Sequence, residues 1–309
     1  MVNPPFDYPG GKRDVAEEVW RRFGDVQCYV EPFVGSAAVL LARPRSLLTR
    51  PFELVNDLDG MLVNFWRSIS KEPEAVLKYA DWPCSEIDLR ARSRWMIENT
   101  PAMEALLIKD PEHYNVQAAG YWIWGRLASI AKFPDESLVR SVEDRFPTDL
   151  PDRIRQTATR MRDVVAMCGD YKRLLTHGII KPEKYLTGVF LDPPYFHDAR
   201  NYTVTSTVAD ESRQWAIDHG SHPNLRIAYC GYANLHSFPE DWQVYRWTRT
   251  RTRNFNDKER FQECVWFSPS CHVPHALPGM DGLHTLEIHE ESLAYLQRRR
   301  KNSRLATKS

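Results

Sequence analysis

Four short apolar runs recur along the chain, and three of them end in a polar or acidic residue. Gln27 to Val39 reads as an apolar run, a turn at Gly35 and then the apolar stretch Ala37 to Leu41, a strand–loop–helix opening. Phe52 to Val55 ends at Asn56 and Asp57, Thr187 to Leu191 ends at Asp192, and Arg226 to Cys230 forms the fourth run. Continuous apolar strands of this kind are expected in a parallel sheet buried on both faces, with a ligand at its carboxyl edge. From Gly60 to about Val164 the pattern changes to helical periodicity rich in Trp, Arg and Met, broken by Pro73, Pro83, Pro101, Pro111, Pro134, Pro147 and Pro151. After Ser268 the chain turns Pro- and His-rich, then gives an amphipathic stretch from Leu286 to Leu296 and the basic run Arg298 to Lys301. The fold expected is α/β, with a parallel Rossmann-like sheet formed by residues 1–59 and 165–267, a helical insertion over 60–164 and a C-terminal extension with a basic tail over 268–309.

Composition narrows the class. With 309 residues, 42% hydrophobic and 27% charged, the chain can bury a substantial core. Lys plus Arg and Asp plus Glu are both 41, so a nucleic-acid partner has to be met by local basic surface. Arg249, Arg251 and Arg253 are the candidates. No apolar run reaches a membrane-spanning length and no signal segment opens the chain, so the expectation is a cytoplasmic protein without membrane contact. The six cysteines contain no CxxC, and Cys271, His272 and His275 match no usual zinc spacing, so no metal is expected.

Two familiar patterns fail on inspection. Gly10-Gly11-Lys12 lacks the first glycine of a P-loop and has Arg13 in place of the magnesium-holding hydroxyl, and Asn56 to Gly60 lacks the closing glutamate of a calcium loop. Two others carry chemistry. Glu31-Pro32-Phe33-Val34-Gly35-Ser36 is a strand running into a glycine turn, where backbone can approach a nucleoside, and Asp57 ends the next strand, where a carboxylate can take both ribose hydroxyls. Asp192-Pro193-Pro194-Tyr195 follows a strand directly and places a carboxylate, a rigid turn with outward carbonyls and an aromatic ring at one edge. Asn3-Pro4-Pro5-Phe6 has the same chemistry but no strand to present it.

In order along the chain, these motifs resemble those of the Dam-like D12 class of DNA adenine N6-methyltransferases. The resemblance runs from about Phe6 to Phe267. It implies a Rossmann-like S-adenosylmethionine-dependent methyltransferase sheet with a helical target-recognition insertion, and methyl transfer to the exocyclic amine of a flipped adenine in double-stranded DNA. Tyr8, Gly11 and Lys12 resemble the N-terminal cofactor motif; Glu31, Pro32, Phe33, Gly35 and Ser36 the glycine turn; Asp57 the ribose ligand. Asp170 and Tyr171 resemble the segment bordering the cofactor adenine, and Asp192, Pro193, Pro194 and Tyr195 the catalytic motif, with Asp192 also beside the cofactor. Ala37 stands where a second glycine is common, and Trp122 to Arg126 lacks an Asn-Gly pair. Trp122, Trp124 and Arg126 are further candidates for contact with DNA. The resemblance also implies a bacterial or phage origin, a cognate restriction endonuclease as a candidate partner, and a monomer. Cytosine N4 or RNA adenine methylation, or a non-catalytic DNA-binding subunit of the same fold, are the alternatives.

Overall fold

The computed structural model describes residues 2–6, 11–44, 51–128, 133–134, 148–194, 202–233, 236–247 and 263–273. By its contacts the chain divides into Met1–His272 and Val273–Ser309, and the second unit is described only at Val273. The amphipathic stretch and basic run of the C-terminal extension therefore lie outside the described residues.

Among the described residues seven strands form one sheet: β1 (Cys28–Glu31), β2 (Phe52–Asp57), β3 (Val165–Cys168), β4 (Thr187–Leu191), β5 (Leu225–Tyr232), β6 (Gln243–Arg246) and β7 (Glu263–Phe267), in the order β3-β2-β1-β4-β5-β7-β6. The first five are parallel, and β7 is antiparallel to both β5 and β6. This is a mixed α/β, mostly parallel sheet of the Rossmann-like methyltransferase type. The chain runs outward from β1 through β2 to β3, then returns to β4 on the other side of β1. Between β1 and β4 the order reverses, and a crevice opens there at the carboxyl ends.

Alternation along the central strands serves both faces. Tyr29, Phe190, Ala228 and Cys230 join one buried cluster, whereas Val30, Val189, Leu191, Ile227 and Tyr229 join the other. The first face is covered by α1 (Arg13–Phe23), α2 (Ala38–Leu41) and five helices between β2 and β3: α3 (Gly60–Lys71), α4 (Pro73–Ala80), α5 (Glu86–Lys109), α6 (Val116–Ala128) and α7 (Leu150–Met161). These five helices share that cluster with the sheet. The second face is covered by the 3-10 turn Tyr171–Arg173, α8 (His177–Ile180) and α9 (Tyr202–His219). Among the described residues no helix is long and apolar enough to cross a membrane.

Helix ends follow local chemistry. Asp59 caps α3 by accepting from Met61 and Leu62 N–H, and Ser85 caps α5 by accepting from Asp88 N–H. Pro73 and Pro151 sit in first turns, where a missing N–H costs nothing. Pro101 departs from the expectation of a break, because α5 runs through it. The ring lies on the exposed side, and the carbonyl it leaves without an amide partner belongs to Ile97, 54% exposed, where water can serve instead.

Arg67 fastens this helical layer to the sheet. Arg67, 7% exposed, donates from its guanidinium to the carbonyl of Leu107 in the last turn of α5, to those of Asp110 and His113 beyond it, and to that of Ala166 in β3. Arg67→Met keeps the aliphatic bulk but strands these acceptors. It should lower unfolding free energy by about 3 kcal/mol, measured by urea denaturation.

Candidate active site

Three turns meet at the carboxyl edge, and side chains from β2 hold them together. After β1 the chain makes the turn Pro32 to Ser36, with Gly35 at φ 45° and Ala37 at φ 54°. The left-handed region suits glycine and strains an alanine, so Ala37 adopts the geometry that a second glycine would take without cost. Asp57 Oδ2 accepts from Gly35 N–H at 3.0 Å, and Oδ1 accepts from Asp59 N–H at 3.0 Å. The carboxylate thus shapes the glycine turn, and each oxygen keeps capacity for a further donor. Next to it, Asn56 Nδ2 donates to the carbonyls of Pro32 (3.1 Å) and Gly169 (2.9 Å), joining the turns after β1 and β3. Two backbone bonds reinforce this, from Val34 N–H to Asn56 O and from Gly169 N–H to Asp57 O. Asn56 was not singled out from sequence; the signal was a polar side chain next to the end of an otherwise apolar strand.

At the β1/β4 crevice the structure makes a contact that the motifs did not foretell. Lys12, just before α1, places Nζ 2.9 Å from Asp192 Oδ1, just after β4. Its side chain is only 3% exposed and that of Asp192 18%. Burial pulls the ammonium down, but Asp192, with smaller help from Cys230 and Glu263, raises it above its ordinary value, so Lys12 is a cation at neutral pH. Sequence reading linked Lys12 to the cofactor motif; here its charge is directed at the motif on β4. Pro193 is buried and Pro194 exposed. Tyr8 and Tyr195 lie outside the described residues.

Glu31 faces inward, 2% exposed, with Tyr29 Oη donating to its Oε2 at 2.9 Å. Burial pushes its carboxyl well above the ordinary range, against that hydrogen bond. Ser36 is buried in the turn and Gly11 is exposed beside Lys12. Phe33 and Tyr171 meet in a tilted arrangement, with ring centroids 4.9 Å apart and planes at 33°. The rings touch, so a flat ligand can lie against the pair but not between them. Asp170 caps the 3-10 turn by accepting from Lys172 N–H at 2.8 Å.

Residues expected at a nucleic-acid interface are not brought to this edge as a group. Trp122 and Trp124, candidates for contact with DNA, are both buried, at 2% and 0% exposed. Trp122 packs edge-on against Phe6 at 5.1 Å, and Trp124 donates from Nε1 to Trp82 O at 2.9 Å beneath the Arg92 guanidinium. Contact of either ring with DNA would require that core to open. Arg126 is half-buried with its guanidinium over the Trp122 ring. Arg249, Arg251 and Arg253 lie outside the described residues. The discarded Asn3 to Phe6 segment serves packing, since Phe6 is 3% exposed against Phe65, Trp66 and Trp122.

Burial pushes Asp57 up to about 6 from its ordinary 3.8, although amide bonds from Asp59 and Gly35 favour the anion. The folded protein therefore keeps a proton that the unfolded chain releases, so this group's contribution to stability falls as pH rises from about 4 to about 6. Asp57→Asn removes the slope. Urea denaturation across that range should show the variant gaining stability relative to the parent as pH rises.

The model of the D12 class N6 adenine-specific DNA methyltransferase family matches residues 8–85. No curated protein matches the chain. The matched segment contains Lys12, the glycine turn and Asp57; Tyr171 and Asp192 lie beyond it, joined to it through Phe33 and Lys12. Over residues 8–85 the chain is thus similar to the D12 class N6 adenine-specific DNA methyltransferase family, the family that its motifs resemble.

Proposed function

We propose that the protein transfers a methyl group from S-adenosylmethionine to N6 of an adenine turned out of double-stranded DNA. The family match supports DNA adenine methylation in general terms. The finer reading rests on one observation, the 2.9 Å contact that joins Lys12 of the matched segment to Asp192 at the β1/β4 crevice.

The residues present suit the cofactor. Asp57 offers a carboxylate to the two ribose hydroxyls, the Phe33–Tyr171 pair offers an aromatic wall to the purine, and Gly35 permits close backbone approach. S-adenosylmethionine supplies a methyl group activated by its sulfonium sulfur. Gly11, Ser36 and Asp170 border the same edge in this reading, as does Tyr8.

Adenine N6 is a poor nucleophile because its lone pair is delocalised into the ring. Asp192 accepts one amine hydrogen and the Pro193 carbonyl the other, which favours a pyramidal nitrogen with its lone pair available. Lys12 fixes the direction of Asp192, so the carboxylate works as an acceptor and orienter. Tyr195 stacks on the extruded base. Residues 60–164 serve target recognition, and Arg249, Arg251 and Arg253 meet phosphates.

Asp192→Asn retains size but loses charge. It should lower methyl transfer at least ~100-fold with far smaller change in cofactor affinity. The assay is labelled methyl transfer to duplex DNA, followed by mass spectrometry of the nucleosides. N4-methylcytosine as the product, or transfer to RNA alone, would replace the adenine reading, and a near-parental rate would remove Asp192 from the chemistry.

Ribose hydroxyls donate to the Asp57 anion, so cofactor affinity should fall as pH drops through about 6. Asp57→Ala should weaken binding roughly ten- to a hundredfold at neutral pH and flatten that profile. Calorimetry with S-adenosylmethionine at pH 5 and 7.5 reads both.

A further inference from the structure

Glu211 takes no part in the reading above. It lies on α9, the first described helix after the catalytic motif, and its Oε2 accepts from Tyr171 Oη at 3.2 Å. Lys172 Nζ stands 2.8 Å from the same oxygen. Tyr171 begins the 3-10 turn after β3, so this carboxylate joins two elements on the second face of the sheet.

The protonation states suit a lasting bond. Burial first, then the Glu211 charge, raises the Tyr171 phenol above its ordinary value and keeps it a neutral donor. The Lys172 hydrogen bond lowers Glu211 and keeps it an anionic acceptor. Of the two contacts, the one to Tyr171 matters more. Lys172 and Glu211 are both exposed, and exposed ion pairs contribute little. A hydrogen bond from a buried phenol to a carboxylate contributes more.

Packing leaves the ring dependent on that bond. One face of Tyr171 rests on Phe33. Beside it, between the 3-10 turn and α9, a cavity of about 380 Å³ opens, lined also by Leu175, Gln214 and Trp215. Packing around the buried ring is incomplete on that side, and the hydroxyl bond adds a directional hold on its tilt.

We propose that Glu211 is a positioning residue for the adenosyl cofactor. Acting only through the Tyr171 hydroxyl, it sets the orientation of the aromatic wall formed with Phe33, and does not itself touch the ligand. The inference rests on the functional reading above, in which this wall receives the purine. It distinguishes Tyr171 from a phenylalanine at the same place, because the hydroxyl carries the effect.

The test uses the full chain, with S-adenosylhomocysteine as calorimetric probe and methyl transfer as kinetic readout. Glu211→Ala and Tyr171→Phe should each raise Kd for the probe, and KM for S-adenosylmethionine, about tenfold, with a much smaller fall in kcat. The two together should do no more than either alone, because both remove one bond. Glu211→Gln, which keeps an acceptor oxygen, should recover most of the affinity, and Lys172→Ala should stay within about twofold of the parent.

Unchanged affinity in Glu211→Ala with an intact thermal transition overturns the proposal. So do additive effects in the double variant, or a Lys172→Ala loss equal to that of Glu211→Ala. A parental protein that binds no S-adenosylhomocysteine overturns the functional reading along with it, whereas parental binding with unmoved variants overturns the role of Glu211 alone.

Discussion

The carboxamide of Asn56 is the constraint on which the carboxyl edge depends. A parallel sheet delivers its strands to one edge but does not dictate how the turns beyond them are arranged. Here both amide hydrogens of a side chain 1% exposed are committed to carbonyls on opposite sides of β2, one after β1 and one after β3. Neither turn can move without breaking a bond from which water is excluded. Asp57 adds the next layer by holding Gly35 and Asp59 amides, and Trp66 of α3 reaches the same turn by donating from Nε1 to Gly35 O at 3.2 Å. The first helix of the inserted layer is therefore part of the scaffold of the edge.

A second tie crosses the β1/β4 crevice, and its nature differs. Amide bonds hold the β1, β2 and β3 turns by shape, whereas the Lys12–Asp192 contact holds the β4 end by charge. A buried ammonium without its carboxylate would be costly, so the segment before α1 is drawn toward the end of β4. Residues far apart in sequence become one site through this pair. It also explains how a family match confined to residues 8–85 bears on chemistry assigned to Asp192: the matched segment contributes one half of the ion pair.

What could be read in advance followed burial. Thr187–Leu191 is β4 as expected, and the runs at Phe52 and Arg226 became β2 and β5, because strands covered on both faces are apolar throughout. The strands not among the runs read from sequence were β3, β6 and β7; β3 and β6 are the two edges of the sheet, where Val165 is 54% exposed and Gln243 to Arg246 alternate between partly buried and exposed. Asp57 and Asp192 were legible because acidic residues at the ends of apolar strands stand out. The Lys12–Asp192 pair, the Asn56 brace and the Tyr171–Glu211 bond were not, since each depends on which strands become neighbours. For Trp122 and Trp124, sequence left both contact with DNA and core packing open. A helix packed on more than one side, with Phe6 against one ring and Arg92 against the other, has room for both inside.

Ala37 has a consequence beyond local strain. Its left-handed backbone costs about 1 kcal/mol relative to glycine, yet the methyl is fully buried and the unfolded chain has fewer conformations to give up. An alanine here exchanges enthalpic ease in the native turn for a narrower conformational ensemble before folding. The loop after β1 is thereby less able to sample alternative shapes than a glycine-rich one, and any ligand it takes would meet a surface whose ordering entropy has already been lost.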